Sequence, residues 1–393
     1  MKLLWVTPKW TLPASDGARV ASRQLIKSLV AKGVEIHYLA LSHPEDTEDR
    51  EVLIEDLGVK SAHFIKRNLP ISLIEKIFFY GLSFLFTPSK PLTIASFSSS
   101  QIKKFCQKHF KSNQFDYVVA DGLHSIVPLL SLDAKLIYRS HNVEYEIWKK
   151  AARETRFFLK KVFLLTQFYA MRSFERKVVH FVDHVFPISE EDRLKYTEYL
   201  KEDAKLMTLP LGLSFKKVQP TKSIDKICLL FLGRLDWAPN KDGLIWFLKE
   251  VWPHLSPQNF ELIIVGSGNS DWVSTYSGLE GVSFYGFVED LDSIYQKIDL
   301  SIIPIFYGSG TRIKLIEAVS KGIPILSTGM GAQGSSLMPG EEYTQAETSS
   351  QWVDALLKFD AQESRDRANK AFERLQREFA QEKLAQNFIQ KLS

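Results

Sequence analysis

The sequence predicts an α/β protein built of two doubly wound, Rossmann-like domains that face each other across a cleft. Its 393 residues exceed the length at which a single hydrophobic core usually stops growing. Short apolar runs alternate with amphipathic helical patterns in both halves, which is typical of parallel sheets covered by helices. Hydrophobic residues make up 45% of the chain and charged residues 24%, so a mainly disordered chain is excluded.

The first half begins with a βαβ pattern. Residues 3–6 form an apolar run, and a helical pattern with one apolar side follows it up to Gly33, which is expected to cap that helix. Residues 34–41 then predict a second strand, and such a unit implies a parallel sheet. Further strands are predicted at residues 117–120, 136–138 and 184–188.

The second half repeats this alternation of strand and helix. Residues 227–232 are apolar throughout, as expected of a strand that is covered on both faces. Further strands are predicted at residues 262–265, 282–285, 300–304 and 323–326. We place the domain boundary near Gly212, where proline and glycine interrupt the pattern. The predicted parts are residues 1–210, residues 211–370, and a C-terminal helix at 371–393 that packs back towards the first domain.

A glycine-rich loop in the second half is the most informative segment. Gly308 and Gly310 let the backbone approach an anion closely, and the helix that follows presents free N–H groups and a positive dipole end. Arg312 and Lys314 add positive charge where a phosphate would lie. The loop therefore indicates an anion site.

A second segment follows the predicted strand at residues 227–232. Arg234 stands at the carboxyl end of that strand and is expected to point into the cleft. Lys241 lies at the start of the next predicted helix, where a cation is unfavourable beside the positive dipole end unless an anion is bound. This placement favours a phosphate site.

Both segments also allow a purely structural interpretation. The glycine-rich loop could be an ordinary turn, with Glu317 and Lys321 forming a surface pair one helical turn apart. The cations near Arg234 could be ordinary exposed loop charges. The glycine-rich loop also lacks the Gly-Lys-Ser/Thr ending of a Walker phosphate loop.

Together the two segments resemble the nucleotide-sugar site of retaining GT-B glycosyltransferases of family four. The resemblance covers most of the chain and is strongest from Gly233 to Gly334, in the branch with the pattern Gly-Ser-Gly-Thr-Arg-x-Lys-x-x-Glu and a Pro-Asn element. It implies that Arg234 and Lys241 clamp the donor diphosphate. It also implies that Glu317 accepts hydrogen bonds from the ribose hydroxyls.

The resemblance further implies the contacts of the base and the donor sugar. Phe287 and Val288 would lie beside the base. Much of the family carries a glutamate eight residues before Glu317, where this chain has Ser309, so backbone N–H groups of the loop would take over that sugar contact. The implied donor-binding residues are Phe287, Val288, Ser309, Gly310, Thr311, Arg312, Ile313, Lys314 and Glu317.

Loops in the first half supply the remaining candidates. Gly17 matches the family's glycine loop near the donor phosphates, and His141 matches the position that contacts the donor hexose. With Arg234 and Lys241 these two complete the implied catalytic set. A lone histidine can also be purely structural, and no metal-ligand spacing surrounds His141. The candidates for acceptor contacts are Arg19, Asp121 and His124.

Two segments of the first half that are rich in apolar residues are candidates for membrane contact. The basic helical pattern over residues 153–177 and the apolar run at 69–86 would suit a surface that meets a membrane, or ordinary helices that cover the sheet. No spanning segment is predicted, since the uninterrupted run at 77–86 falls well short of the roughly 20 residues required. Two cysteines and the absence of a secretory signal favour a cytoplasmic protein, with peripheral membrane contact left open.

The resemblance implies a metal-independent, cofactor-free enzyme of polysaccharide biosynthesis. It would transfer a hexose with retention from a nucleoside diphosphate sugar to a hydroxyl acceptor, which would be a glycan, a lipid-linked acceptor or a small molecule. Nucleic acid is not an expected partner, because the formal net charge is only +4 and no binding module is visible. Two alternatives stay open: a nucleotide-sugar epimerase of the same architecture, and a non-catalytic subunit that binds sugar nucleotides.

Overall fold

The computed structural model describes residues 1–12, 17–41, 49–66, 91–95, 97, 104–105, 108, 114–200, 203–219, 221, 226–268, 271–288, 290–308 and 312–393. The chain divides into two compact units. The first comprises Met1–Gly212 together with Leu384–Ser393, and the second comprises Leu213–Lys383.

The first unit is built on a six-stranded parallel sheet. Its strands are β1 (Lys2–Thr7), β2 (Glu35–Ala40), β3 (Ser61–Phe64), β4 (Tyr117–Asp121), β5 (Leu136–Ser140) and β6 (His184–Pro187). Their order is β3-β2-β1-β4-β5-β6, so the direction of winding reverses between β1 and β4. Ligands of doubly wound sheets bind at such a switch point, beyond the carboxyl ends of the strands.

Each face of this sheet is covered, because alternate residues of β1 enter two separate cores. Leu4 and Val6 pack into one core, and Leu3 and Trp5 pack into the other. Gly33 has a φ of 81° and ends the first helix, which confirms the predicted cap. The helices are α1 (Gly17–Ala31), α2 (Arg50–Leu57), α3 (Leu92–Ala95), α4 (Glu144–Glu154), α5 (Phe158–Phe181) and α6 (Glu190–Thr197), with a 3₁₀ turn at Leu123–Leu129.

The second unit has the same design. Its parallel strands are β7 (Ile227–Leu232), β8 (Phe260–Val265), β9 (Val282–Tyr285), β10 (Leu300–Ile303), β11 (Ile325–Ser327) and β12 (Thr344–Gln345). The order β12-β11-β10-β7-β8-β9 places the switch point between β7 and β10. The helices are α7 (Ala238–Glu250), α8 (Leu291–Tyr295), α9 (Ile313–Ser320), α10 (Ser349–Leu357) and α11 (Ala361–Phe379).

The predicted α/β class is confirmed, while several boundaries differ. The prediction missed β3 and β12, which are short strands at sheet edges. It also ended β5 at residue 138, whereas Arg139 and Ser140 continue the strand. Arg139 interrupts the apolar pattern, yet its side chain is fully buried against Asp121. A buried charged pair thus concealed the end of the strand.

The single helix predicted over residues 153–177 is wrong. Helix α4 ends at Glu154 and α5 begins at Phe158, because the backbone of Thr155 and Phe157 is extended. The two helices pack against each other, and this contact needs a turn between them. No glycine or proline marks the turn in the sequence, so helical periodicity could not reveal it.

The C-terminal segment is also divided. Helix α11 ends at Phe379, and a last helix, α12 (Gln381–Leu392), follows. The N–H of Leu213 donates to the Phe379 carbonyl oxygen at 2.8 Å, and the N–H of Gln381 donates to the Leu213 carbonyl oxygen at 3.1 Å. This pairing interrupts the helix. Of the segment predicted to return to the first domain, Leu384–Ser393 lies in the first unit and residues 371–383 lie in the second.

Candidate functional site

The switch point of the second unit brings the two predicted anion-binding segments together. One loop leaves β7 at Gly233, and the other leaves β10 at Pro304. Gly243 allows α7 to lie directly against the second loop, since a β-carbon there would stand 1.7 Å from the Pro304 carbonyl oxygen. Gly266 similarly allows the end of β8 to lie beside the Gly233 carbonyl oxygen, because a β-carbon at Gly266 would stand 1.9 Å from that oxygen. Close packing of backbone therefore shapes this edge of the sheet.

Arg234 stands at the carboxyl end of β7 with its side chain 66% exposed. Its Nε and Nη2 donate to the Asp236 carboxylate oxygens at 3.0 and 2.6 Å. The hydrogen bonds and charge of this pair raise the pKa of Arg234 and lower the pKa of Asp236. An exposed pair of this kind is weak, so the guanidinium group can exchange Asp236 for another anion at little cost.

Asn240 links the two loops through a buried side chain. Its Nδ2 donates to the Arg234 carbonyl oxygen at 2.9 Å, and its Oδ1 accepts a hydrogen bond from Lys314 Nζ at 2.7 Å. A β-carbon on Gly233 would lie 2.6 Å from Asn240 Nδ2, so glycine is required there. The Pro-Asn element therefore fixes the position of a lysine that is distant in sequence.

Lys314 and Arg312 carry their positive charge in poorly solvated surroundings. Burial, with the nearby charge of Arg312 adding to it, lowers the pKa of Lys314 to about 7. Burial likewise lowers the pKa of Arg312, whose guanidinium carbon stands 5.9 Å from the ring centroid of Trp237. A bound anion would stabilise both charges, so this geometry favours one.

Lys241 lies in the first turn of α7, where the helix dipole is positive. Among the described residues, none forms a hydrogen bond or ion pair with its ammonium group. Its neighbour Asp242 accepts a hydrogen bond of 2.5 Å from the Tyr307 hydroxyl and so ties the helix to the loop after β10. Ile313 is the first residue of α9 and is 37% exposed.

Glu317 stands on the second turn of α9. Burial raises its pKa to about 7, the charge of Asp292 adds to this effect, and the charge of Lys321 opposes it. The surface pair that the structural alternative required is absent here, since Lys321 instead binds Asp292 at 2.5 Å. Glu317 is therefore available to accept hydrogen bonds from a ligand.

Phe287 and Val288 follow β9, with β8 between them and the switch point. The Phe287 side chain is 81% exposed, as expected of a ring that awaits a stacking partner. Ser309, Gly310 and Thr311 lie outside the described residues, and so do residues 13–16, which precede Gly17.

The switch point of the first unit carries a buried charged cluster. Asp121, at the end of β4, accepts hydrogen bonds from Trp5 Nε1 at 2.8 Å, Arg139 Nη1 at 2.9 Å and His141 Nε2 at 2.6 Å. Burial alone would raise the pKa of this carboxyl group. The charges of Arg139 and His141 outweigh burial, however, and hold the Asp121 pKa well below its usual range.

This cluster leaves polar atoms of two side chains without partners. Nε and Nη2 of Arg139 and Nδ1 of His141 are buried and have no hydrogen-bond partner in the described part of the chain. Such atoms are costly when unpaired and are expected to face a ligand or an ordered water molecule. These atoms are therefore candidates for ligand contacts in the first unit.

The other candidates of the first unit lie at the same carboxyl edge. Gly17 is the first residue of α1, and Arg19 lies in the first turn of the same helix. His124 lies in the 3₁₀ turn after β4, and its ring centroid is 5.2 Å from that of Phe97. Of the candidates in the first unit, His141 and Asp121 are in direct contact through a hydrogen bond.

Sequence reasoning missed Arg139, Asn240 and Asp236 as members of these clusters. The signal for Arg139 was a charged residue directly after an apolar run. Asn240 belongs to the Pro-Asn element of the resemblance, but nothing in the sequence indicated its contact with Lys314. For Asp236 no signal distinguished it from other polar loop residues. Among residues in the described ranges, no group of three or more His, Cys, Asp and Glu side chains is arranged to hold a metal ion.

Comparison with known proteins identifies the second unit's family resemblance. Residues 226–359 match the family model described as glycosyl transferases group 1. A Klebsiella pneumoniae protein, described as an uncharacterized 44.6 kDa protein in the cps region, is 24% identical over 359 residues, which cover 87% of this chain and 86% of that protein.

Solved structures similar to this chain extend over nearly its whole length. Sucrose-phosphate synthase from Thermosynechococcus elongatus has a TM-score of 0.66 and 17% identity, covering 99% of this chain and 98% of its own. Anabaena HepE in complex with UDP and glucose has a TM-score of 0.66 and 15% identity, covering 100% and 99%. S. aureus TarM, in complex with UDP and alpha-GlcNAc-glycerol among other ligands, has a TM-score of 0.70 and 10% identity, covering 100% of both chains.

These structures confirm the predicted two-domain fold, while assignment to family four stays a prediction. The chain has the GT-B fold, and its residues 226–359 match the family model of glycosyl transferases group 1.

Proposed function

We propose that this protein is a glycosyltransferase that moves a hexose from a nucleoside diphosphate sugar to a hydroxyl group of an acceptor, with retention of the anomeric configuration. One observation carries the proposal. Arg234, Lys241 and Lys314 surround the switch point of a unit that matches glycosyl transferases group 1, and Lys314 is held there by a neutral amide. A diphosphate supplies the negative charge that this arrangement lacks.

The proposed chemistry is the exchange of one bond at the anomeric carbon. The bond from that carbon to the diphosphate oxygen breaks, the acceptor oxygen forms the new bond, and the acceptor proton passes to the departing diphosphate. Negative charge grows on the diphosphate as the bond breaks, so Arg234 and Lys241 stabilise the transition state more than the ground state. This chemistry requires no protein-bound metal ion.

The nucleoside half of the donor is proposed to bind next to Glu317 and Phe287. The Glu317 carboxylate accepts hydrogen bonds from the ribose hydroxyls, and the exposed Phe287 ring, with Val288, lies beside the base. Backbone N–H groups around Ile313 face the sugar in place of the missing glutamate at Ser309. Two structural neighbours hold UDP, which makes UDP sugars the first donors to test.

The first unit is proposed to bind sugar hydroxyls through the Asp121 cluster. Asp121 fixes the orientation of His141 by accepting a hydrogen bond from its Nε2, which leaves Nδ1 for a hydroxyl of the donor hexose. The buried Arg139 guanidinium group holds the Asp121 carboxylate in place. Gly17, Arg19 and His124 complete the surroundings of this site. The acceptor is proposed to be a glycan, either lipid-linked or soluble.

Product analysis tests this function directly. UDP-glucose, UDP-galactose and UDP-N-acetylglucosamine are incubated with saccharide and lipid-linked acceptors in EDTA, and products are identified by mass spectrometry. We expect one acceptor to gain one sugar, and NMR of the product to show the anomeric configuration of the donor. Formation of a different nucleotide sugar without any acceptor would show an epimerase instead.

Variants connect that activity to the site. R234A and K241A are each expected to lower turnover by about 10²- to 10³-fold, by analogy with other groups that stabilise developing negative charge. The control is K249A, which removes an exposed lysine from the last turn of the same helix, α7. Equal turnover in the folded R234A/K241A double variant and in K249A would contradict the assignment.

A further inference from the structure

The start of α5 exposes an unusual amount of apolar surface. Phe157, Phe158 and Leu159 are consecutive in the chain, and their side chains are 75%, 76% and 82% exposed. The next two turns of the helix continue this exposure at Val162 and Leu165. Burial of large apolar side chains is favourable, so a contiguous exposed group of them marks an interaction surface.

Four of the exposed residues form one stripe along α5, and Phe157 and Leu159 adjoin the start of that stripe. Phe158, Val162, Leu165 and Tyr169 follow one another at spacings of four, three and four residues, which places them on one side of a helix. The side chains of α5 that pack into the first unit belong to the opposite side, and they include Leu164, Phe168 and Met171. The stripe is therefore a second apolar face that the described residues leave uncovered.

The charged residues of the segment that carries the stripe have one sign. Residues 155–174 contain no Asp or Glu, and they contain the cations Arg156, Lys160, Lys161 and Arg172. The acidic residues on either side do not change this, because Glu154 pairs with Lys150 at 3.8 Å and Glu175 is buried. Apolar side chains flanked by cations fit a surface that is apolar inside and negatively charged outside.

We propose that α5 docks the protein on an anionic lipid bilayer. In this position Phe157, Phe158 and Leu159 insert among the acyl chains, and Lys160 and Lys161 contact the negatively charged headgroups. The helix lies at the interface and does not cross the bilayer. Within the described ranges, no helix is long and apolar enough to span a membrane.

This inference deepens the proposed function in one respect, which rests on that function. A transferase docked on a bilayer meets acceptors that are carried by lipids, so docking selects a lipid-linked glycan over a soluble one. The docking step itself depends only on α5 and is testable without any sugar transfer.

Vesicle binding of the full-length protein tests the proposal. The vesicles are phosphatidylcholine alone or phosphatidylcholine mixed with phosphatidylglycerol, and bound protein is separated by sedimentation. We expect strong binding to the mixed vesicles and weak binding to neutral ones. F158S/L159S is expected to weaken the binding about a hundredfold, because each of the two side chains contributes roughly tenfold when it is buried. K160E/K161E is expected to remove the preference for phosphatidylglycerol.

Matched controls separate the possible outcomes. L194S removes a side chain that is 56% exposed on α6 and is expected to leave vesicle binding unchanged. The UDP-induced rise in melting temperature is measured on the same samples, so that failure to dock and failure to bind a nucleotide are seen separately. The proposal is overturned if wild-type protein binds neither vesicle, if F158S/L159S binds as well as wild type, or if the stripe instead holds a dimer that F158S/L159S dissociates.

Discussion

Both sheets end at their switch points in charged clusters, but the two clusters manage their charge in opposite ways. In the first unit, the buried cation Arg139 is balanced by Asp121, a carboxylate that is itself buried and accepts three hydrogen bonds. In the second unit, Lys314 is held by the neutral amide of Asn240, and Arg234 is paired with an exposed carboxylate. The first cluster is neutralised internally, and the second has positive charge to spare.

Because of this difference, two sheets of the same topology favour different kinds of ligand. A cluster that is already neutralised positions polar atoms such as His141 Nδ1 for uncharged hydroxyl groups, and it does so without a ligand. In the second cluster, burial lowers the pKa of Lys314, the nearby charge of Arg312 adds to this effect, and a bound anion would oppose both. The first cluster thus favours uncharged polar ligands, and the second favours an anion.

The largest effect should come from removing the carboxylate of the first cluster. D121A leaves the buried Arg139 guanidinium group without its counter-charge, so we expect the free energy of unfolding to fall by about 3–5 kcal/mol. D236A removes the exposed carboxylate of the second cluster and should leave the denaturation midpoint unchanged. Urea denaturation of both variants measures the difference. Equal destabilisation by the two substitutions would contradict the claim that only the first cluster depends on its carboxylate for stability.

A smaller effect is expected from a pair of carboxylates behind the first cluster. Glu144 begins α4 and faces Glu175, which accepts a hydrogen bond from the Tyr196 hydroxyl at 2.6 Å. Burial, with the charge of Glu175 adding to it, raises the pKa of Glu144 to about 7, above its unfolded value of about 4.3. The unfolded chain therefore loses this proton first, and stability falls as the pH rises from about 4.5 to about 7.

E144Q cannot ionise and should escape this loss. We expect the variant to exceed wild type in free energy of unfolding by about 3 kcal/mol at pH 8 and to show little gain at pH 4.5. Denaturant titrations at the two pH values measure this difference. An E144Q gain that is the same at both values would show that Glu144 is not held in its neutral form.

The smallest effect concerns the pH dependence of donor binding, which depends on two titratable groups of the second unit. A diphosphate favours protonated Lys314, and ribose hydroxyls favour ionised Glu317, each with a pKa of about 7. UDP-glucose affinity should therefore be greatest near pH 7 and fall by up to about tenfold per pH unit on either side.

Two variants separate the contributions of Lys314 and Glu317 to this pH profile. K314M should keep only the loss of affinity below pH 7, and E317Q should keep only the loss above it. UDP-glucose is the appropriate probe between pH 5.5 and 8.5, because its diphosphate is esterified at both ends and does not itself titrate there. A flat wild-type profile would show that these two groups do not face the donor.

The sequence was a good guide to the second unit's strands because buried parallel strands are continuous apolar runs. The strands at Ile227–Leu232 and Val282–Tyr285 have the predicted bounds. Edge strands such as β12 are too short to give such a signal, and the turn between α4 and α5 depends on helix packing. Local pattern therefore predicts the centre of each sheet better than its periphery.

The candidate site was predictable where its residues belong to one local motif. The positions of Arg234 and Lys241 relative to β7 follow from their place after an apolar run. The partners of these motifs were not predictable, because they depend on tertiary contacts: Lys314 and Asn240 are 74 residues apart, and Trp5 and Asp121 are 116 apart. Sequence spacing carries no information about such pairs.

Binding of a nucleoside diphosphate to the second unit is the central claim, and calorimetric titration of UDP, GDP and ADP tests it most directly. We predict saturable binding of one of these nucleotides at a single site. R234A and K241A should each weaken that binding about tenfold or more, and K249A should leave it unchanged. Absence of binding by all three nucleotides, or binding that R234A and K241A do not alter, would contradict the account.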